Sequence, residues 1–362
     1  MIDFELDDEM KLVQQTAREF ADDHLRPAMR DHERARAPSA AARAAFEEIG
    51  FATLEWPEEL GGSGLGALAR CLVATEVAAA DAGAALALDP LGPALYPLRE
   101  LGGAAALETY GKPLLAQCGR AVLVWNGAHT RARLRVAGDR VTGTVPWVPA
   151  DEVGCLVVLD ERGAFVVREG IALQELRGAG LRAAGAAEVT LDSAPVCASW
   201  SDGAAAARAL ARARLYTAAM LVGVVRESAT YSRQYALERV AFGKPIAHHQ
   251  ALAFLIADMA SAVDMAQLLV WEAAWRLDSG EPDAEACASA FVEAAEASLF
   301  VTPNGVQILG GHGFMQDYPV EKWMREARTL SLCLGGVDAA REDAGRELVA
   351  QSGAVPLTRE TA

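Results

Sequence analysis

The chain is 362 residues long, with 49 acidic against 33 basic side chains and a formal net charge of −16. That length exceeds what one compact core usually supports and predicts two or three packed units. The acidic surplus would repel a phosphate backbone or an anionic membrane, and no Lys/Arg stripe offsets it, so nucleic-acid and membrane-surface binding are disfavoured.

The N-terminus, MIDFELDDEMK, has no basic stretch followed by an apolar one. No later run approaches about 20 uninterrupted apolar residues, so a soluble, unprocessed, cytoplasmic protein is expected. From about residue 5 to 118 the pattern is helical. Met10, Val13, Ala17, Phe20 and Ala21 recur at helical spacing, with Pro27 as an interruption. Phe46, Ile49, Gly50 and Phe51 then lead into the turn Pro57-Glu58-Glu59-Leu60-Gly61-Gly62, and a further helix is expected around Leu72 to Ala80, carrying Glu76.

From about 121 to 200 the period changes to two. Short β-rich runs (AVLVW, RLRVAG, RVTGTVPWV, CLVVL, AFVVRE, AEVTL) alternate with turns such as Ala137-Gly138-Asp139 and Glu161-Arg162-Gly163, which predicts a small antiparallel β domain. From Ala204 to about Val349 helix formers return, with Leu252, Ile256, Met259 and Val263 on one apolar stripe. Breaks at Gly280-Glu281-Pro282, Pro303-Asn304-Gly305 and Gly310-Gly311 predict roughly four helices. The expected fold class is α+β, mainly α: a helical domain over 1–120, a β domain over 121–200 and a helical bundle over 201–362.

Cys71, Cys118, Cys155, Cys197, Cys287 and Cys333 are scattered with no CxxC pair, which fits reduced thiols, most of them small core residues. His24, His32, His129, His248, His249 and His312 show no ligand spacing, so no metal site is expected.

Two stretches carry chemistry. In YSRQYALERVAFGKPIAHHQ (231–250), the guanidinium of Arg239 can meet a diphosphate while Phe242 and Gln250 fix the start of the next helix. In QILGGHGFMQDYP (307–319), Gln307 precedes Gly310, Gly311 and Gly313, whose missing side chains would let backbone N–H groups approach phosphates. A helix C-cap followed by a glycine turn is the alternative for the second stretch. In order and spacing the two resemble the FAD-binding signatures RxxFGxPIxxxQ and QxxGGxG of the acyl-CoA dehydrogenase family, as the PEELGG turn and Arg325 in KWMREAR also do. The resemblance spans nearly the whole chain. It implies a helical domain, a middle β domain and a four-helix bundle, with FAD shared across a subunit interface and electron-transfer flavoprotein as acceptor.

The chain departs from that family where the chemistry happens. Residues Trp125-Asn126-Gly127-Ala128-His129-Thr130 stand where a TEPxxGSD-like segment contacts the flavin ring. Trp147 matches an aromatic packed against the ring, or is simply core, while Pro149 replaces the hydroxyl residue facing N5 and removes a backbone N–H. The base glutamate, needed to take the α-proton of an acyl-CoA thioester, is Leu334 in one family position and Ala213 in the other. Arg214, beside Ala213, matches a substrate-side arginine. Asp317 and Asp338 are the nearest candidates in sequence for a relocated base, though both lie in segments that read as solvated.

The ending LGGVDAAREDAGRELVA is similar to the degenerate partner subunits of heterotetrameric steroid acyl-CoA dehydrogenases. What this implies is a non-catalytic, FAD-sharing subunit that works with a Glu-containing partner on a bulky or steroid-type acyl-CoA. A homotetrameric dehydrogenase with a relocated base, and a non-redox acyl-CoA-binding protein, are the alternatives.

Overall fold

The computed structural model describes residues 4–116, 119–281 and 284–350. Cys118, Pro282 and the first three residues of the acidic N-terminal stretch lie outside them. Helix α1 (Asp8–Phe20) starts where the Asp7 carboxylate accepts the Met10 N–H at 2.8 Å, satisfying a donor with no partner inside the helix. Helices α2 (Met29–Ala35) and α3 (Ala40–Ile49) follow, α3 capped by Ser39 and ended by Gly50 at φ 81°. Phe20, Phe46 and Phe51 close this corner edge to face, with centroids 5.5–5.8 Å apart.

Helix α4 (Ala67–Leu88) is long and apolar enough to cross a membrane, but its whole apolar window is buried by its neighbours, which makes it a core helix. Glu76 on α4 is buried and bound by Arg226 at 2.6 Å and Arg18 at 3.2 Å; burial raises its carboxyl, and the two arginines outweigh that and hold it below the usual range. Helices α5 (Leu95–Ala106) and α6 (Lys112–Ala116) complete the N-terminal part.

The sheet comprises β1 (Ala121–Trp125), β2 (Arg133–Ala137), β3 (Arg140–Val148), β4 (Cys155–Leu159), β5 (Gly163–Val167), β6 (Ile171–Glu175) and β7 (Ala187–Ser201). Its order is β1-β4-β5-β7-β3-β2, with β6 also on β7. Every pairing is antiparallel except β1 with β4, which the long excursion through β2 and β3 allows to run parallel. Period-two alternation sends the two faces to different cores. Cys155, Val157 and Leu159 of β4 face the helices, whereas Leu156 and Val158 join Val122, Val124 and Val141 in a second core.

The remaining chain forms α7 (Gly203–Glu238), the two-residue strands β8 (Val240–Ala241) and β9 (Lys244–Pro245), then α8 (Gln250–Ser279), α9 (Ala284–Leu309), α10 (Val320–Leu330) and α11 (Gly336–Ala350). Helix α7 lies close against α4 because Gly223 has no side chain: a Cβ there would sit 2.1 Å from the Thr75 carbonyl oxygen. The expected break at Pro303-Asn304-Gly305 does not occur, and α9 runs through it. Pro303 is exposed on the outer side, the Asn304 amide donates to the Phe300 carbonyl at 2.8 Å, and Gly305 serves to seat α9 on Ser228 and Ser232 of α7. Helix α8 is also long and apolar enough to cross a membrane, and only 28% of its apolar window is buried, with Phe254, Met265 and Leu268 exposed.

A buried charge cluster joins α4 to α10. Helix α4 leaves helical geometry at Asp81, whose carboxylate then caps the next turn by accepting the Ala84 N–H at 3.0 Å. Lys322 Nζ lies 2.9 Å from Asp81 Oδ1 and 2.6 Å from Glu326 Oε1, and all three residues are fully buried. Burial pushes the Glu326 carboxyl from 4.5 to about 7, Lys322 opposing and Asp81 reinforcing the shift. Between pH 4.5 and 7 the folded chain therefore retains a proton that the unfolded chain has released. The resulting penalty is absent below that window, grows as pH rises through it by up to about 1.4 kcal/mol per pH unit, and is complete above it. Glu326→Gln is expected to flatten this part of the stability–pH profile in urea unfolding, and an unchanged slope would remove Glu326 as its source.

Candidate functional site

The end of α7, the β8–β9 hairpin and the start of α8 form one exposed surface. Arg239 follows α7, and its side chain points to solvent while its carbonyl accepts the Ile246 N–H at 2.8 Å, closing the hairpin. The hairpin turns through Phe242 at φ 53° and Gly243 at φ 80°, both left-handed as a two-residue turn requires. For phenylalanine that conformation costs about 1–2 kcal/mol, and the ring is 96% exposed. Its ring contact within the chain is edge-on to His249 at 6.0 Å. Gln250, on the first turn of α8, is exposed beside it.

The second signature meets the first through Tyr235, one turn before Arg239, whose hydroxyl lies 2.8 Å from His312 Nδ1. Gln307 is exposed on the last turn of α9. The three glycines that follow differ in what demands them. Gly310 needs its φ of 59°, and Gly313 is buried against Val306, where a Cβ would meet the carbonyl oxygen at 2.3 Å. Gly311 has neither reason: its φ is ordinary, and nothing lies within 4 Å of the space a Cβ would take. The chain's own packing thus accounts for Gly313 and Gly310 but leaves Gly311 bare toward open space, a fit for close backbone approach by an external anionic group.

The ring end is built differently. Trp147 is half-buried against the main core. The Pro149 carbonyl accepts from Arg120 Nη2 at 2.9 Å, and the same guanidinium also donates to the Ala184 and Leu86 carbonyls. Burial brings Arg120 down to about 10, the Asp151 charge pulling the other way. In the loop after β1, Ala128 N–H donates to Glu161 at 2.8 Å, the Asn126 side chain is engaged by the Leu134 backbone, and His129 Nε2 lies 3.1 Å from Glu342. Ala128 N–H, the Asn126 amide and His129 Nε2 are thus engaged within the chain, which leaves this loop less free to face a flavin ring than the exposed candidate diphosphate residues are to face phosphate.

Ala213 and Leu334 are both buried, and neither lines the cavity of about 400 Å³ that opens beside Arg214. Arg214 lines this cavity, is 2% exposed and bridges them. Its Nη2 donates to the Leu334 carbonyl at 3.3 Å, while Nη1 lies 2.5 Å from Asp343 Oδ2. Burial pushes this guanidinium below the ordinary arginine range, and Asp343 opposes that shift. Asp317 and Asp338 are exposed; the carboxylate paired with Arg214 is Asp343, which motif reading missed, and Asp160, Glu161, Glu342 and Glu347 also line the cavity. Asp343 and Arg214 are 129 residues apart, and no local pattern links them. Arg325 also differs from a solvated helix charge: it is held by Glu33 at 2.9 Å and Glu321 at 2.7 Å and donates to the Ala179 carbonyl. Cys71, Cys155 and Cys287 are buried, Cys333 is half-buried and Cys197 is exposed, and none of these forms a disulfide. No cluster suited to a metal ion occurs among the described residues.

Comparison with known proteins gives consistent matches. Residues 7–117 match a family model described as acyl-CoA dehydrogenase, N-terminal domain, and residues 202–349 one described as acyl-CoA dehydrogenase, C-terminal domain. The chain is 30% identical to benzylmalonyl-CoA dehydrogenase of Aromatoleum aromaticum across 92% of this chain and 96% of that protein. In structure it is similar to butyryl-CoA dehydrogenase of Megasphaera elsdenii, with a TM-score of 0.85, 22% identity, and coverage of 96% of this chain and 100% of that one. It is also similar to the Tcur3481-Tcur3483 steroid ACAD, with a TM-score of 0.80, 24% identity, and coverage of 96% and 99%.

Proposed function

The chain belongs to the acyl-CoA dehydrogenase family, and from that premise we propose that it is the non-catalytic, FAD-sharing subunit of a mixed acyl-CoA dehydrogenase. A Glu-containing partner subunit supplies the base and the ring pocket. The family's reaction is an oxidation of acyl-CoA, and FAD, when bound, takes up the hydride. This chain's part is binding: Arg239 neutralises diphosphate charge, Gln307 and the Gly310-Gly311 backbone offer donors, and Phe242 and Gln250 pack at the junction. Trp147 stays with the chain's own core in this reading.

The observation that carries the proposal is an asymmetry. Arg239, Phe242, Gln250, Gln307, Gly310 and Gly311 face solvent, and Phe242 holds a costly turn conformation with its ring almost wholly exposed. At the vacated base positions, by contrast, Arg214 is neutralised by Asp343. Asp343 itself is a poor replacement base, because Arg214 lies against Oδ2 and Arg346 against Oδ1. The exposed apolar face of α8 is in keeping with burial against other subunits. A bulky or steroid-type acyl-CoA, electron-transfer flavoprotein as acceptor, a cytoplasmic location and the division at 120 and 200 belong to the same proposal. The likeness in fold to the steroid ACAD supports the substrate class.

The test is FAD per subunit, measured from visible absorbance for the chain alone and for the chain copurified with a Glu-containing family member encoded beside it. A colourless lone chain and about one flavin per unlike pair are expected for a site shared between two subunits. One flavin on each lone chain would overturn the proposal. Leu334→Glu restores a carboxylate at one family position, yet the lone variant is expected to show no acyl-CoA turnover, because the ring pocket it would serve is incomplete, with Pro149 lacking an N–H and the Asn126 amide and Ala128 N–H engaged within the chain. Measurable turnover would show that the ring pocket is intact.

A further inference from the structure

The glycine turn carries one side chain that the flavin signatures leave unassigned. The His312 ring is stacked on Tyr318, with centroids 4.9 Å apart and planes 6° from parallel, and stands edge-on to Tyr235 at 6.0 Å. Tyr318 is anchored in turn, since Arg30 donates to the Tyr318 carbonyl at 2.8 Å and to the Gln316 carbonyl at 2.9 Å. Three chain segments therefore fix this half-buried imidazole beside Gly311. Only one ring nitrogen is committed: Nδ1 lies 2.8 Å from the Tyr235 hydroxyl, and among the described residues Nε2 has no hydrogen-bond partner.

The Tyr235 hydroxyl can donate to Nδ1 or accept from it, and when it donates, the tautomer is the one in which Nε2 carries the proton. In that tautomer the turn presents an N–H donor next to Gly311, the glycine of this turn whose bareness the chain's packing does not explain. Gln307 can turn its amide N–H donors, and Arg239 its positive charge, toward an acceptor-rich group. We propose that His312 is a cofactor-binding residue whose Nε2–H donates to the diphosphate of the flavin dinucleotide, with Tyr235 as the positioning residue that sets its tautomer. This rests on the reading of the surface as a flavin clamp.

The experiment is FAD titration of the flavin-depleted mixed complex with four variants of this chain. His312→Phe keeps the stack and removes the donor, and is expected to weaken FAD binding about tenfold to a hundredfold, the loss of a charge-assisted hydrogen bond. His312→Asn keeps a donor and should recover most of the affinity. Tyr235→Phe keeps the ring and frees the tautomer, so its loss should be smaller than that of His312→Phe. Gln307→Ala controls for the clamp itself. If His312→Phe binds FAD as tightly as the unaltered complex while Gln307→Ala is weakened, the inference about His312 fails alone. If neither is weakened, the flavin-clamp reading fails with it. Should His312→Phe not assemble, acylation of His312 by diethyl pyrocarbonate in the unaltered complex decides the question: protection by FAD is expected, and equal rates with and without FAD overturn the proposal.

Discussion

Replacing Lys322 by methionine is expected to destabilise the chain by about 3–5 kcal/mol, the cost of leaving buried charge without its partner. Methionine matches the length of the lysine stem, so little packing is lost and the effect is electrostatic. Asp81 and Glu326 would face each other across the vacated position, both fully buried, with His32 Nδ1 at 3.3 Å from Asp81 as a remaining side-chain neighbour. The consequence reaches further than one ion pair. Asp81 caps the second half of α4, and Glu326 accepts the Gly83 N–H at 3.3 Å, so the cluster also holds α4 against α10. Urea unfolding of the single variant should show the loss. The triple variant with Asp81→Asn and Glu326→Gln should recover much of it, because neutral groups of the same shape leave no bare charge. A loss under about 1 kcal/mol in the single variant, within the range of surface positions, would mean that Lys322 does not balance this cluster.

Arg239→Ala is expected to weaken FAD binding by the mixed complex by about 1.5–3 kcal/mol, which is roughly ten- to a hundredfold, as for other hydrogen bonds to a charged group. The folded chain should hardly notice. The Arg239 side chain is exposed, and its structural duty, accepting the Ile246 N–H, belongs to the backbone. Stability should stay within about 0.5 kcal/mol of the unaltered chain, as at exposed positions generally. That separation makes the measurement clean: flavin occupancy falls in equilibrium dialysis while the unfolding midpoint does not move. Equal occupancy in variant and parent would count against Arg239 as a diphosphate contact.

Much of the architecture was legible because it rests on local periodicity. A 3.6-residue period buries Ala17 and Phe20 together, and a two-residue period divides CLVVL between two cores. The two segments proposed as a clamp were legible for a related reason: a guanidinium, an amide and bare glycines lie in short contiguous stretches that local pattern can pick out. The missing base was legible too, since Leu334 and Ala213 are hydrocarbon whatever surrounds them. Pro303 shows the limit: proline predicts a break from local geometry, and the packing of α9 on α7 overrides it.

The sequence by itself determined the succession of helices, strands and helices, the flavin signatures and the absence of a glutamate at both expected positions. Tertiary structure alone decided what the charged residues do. No motif assigns a role to Lys322 or Glu326, and both are fully buried; Arg214 reads as a substrate contact and is bound to Asp343 on α11, and His312 has no ligand spacing yet is fixed by two tyrosines. The physical reason is range. Periodicity reports which way a side chain faces relative to its own element, whereas the partner of a charge is chosen by chain segments a hundred or more residues away, and only the path of the folded chain brings them together.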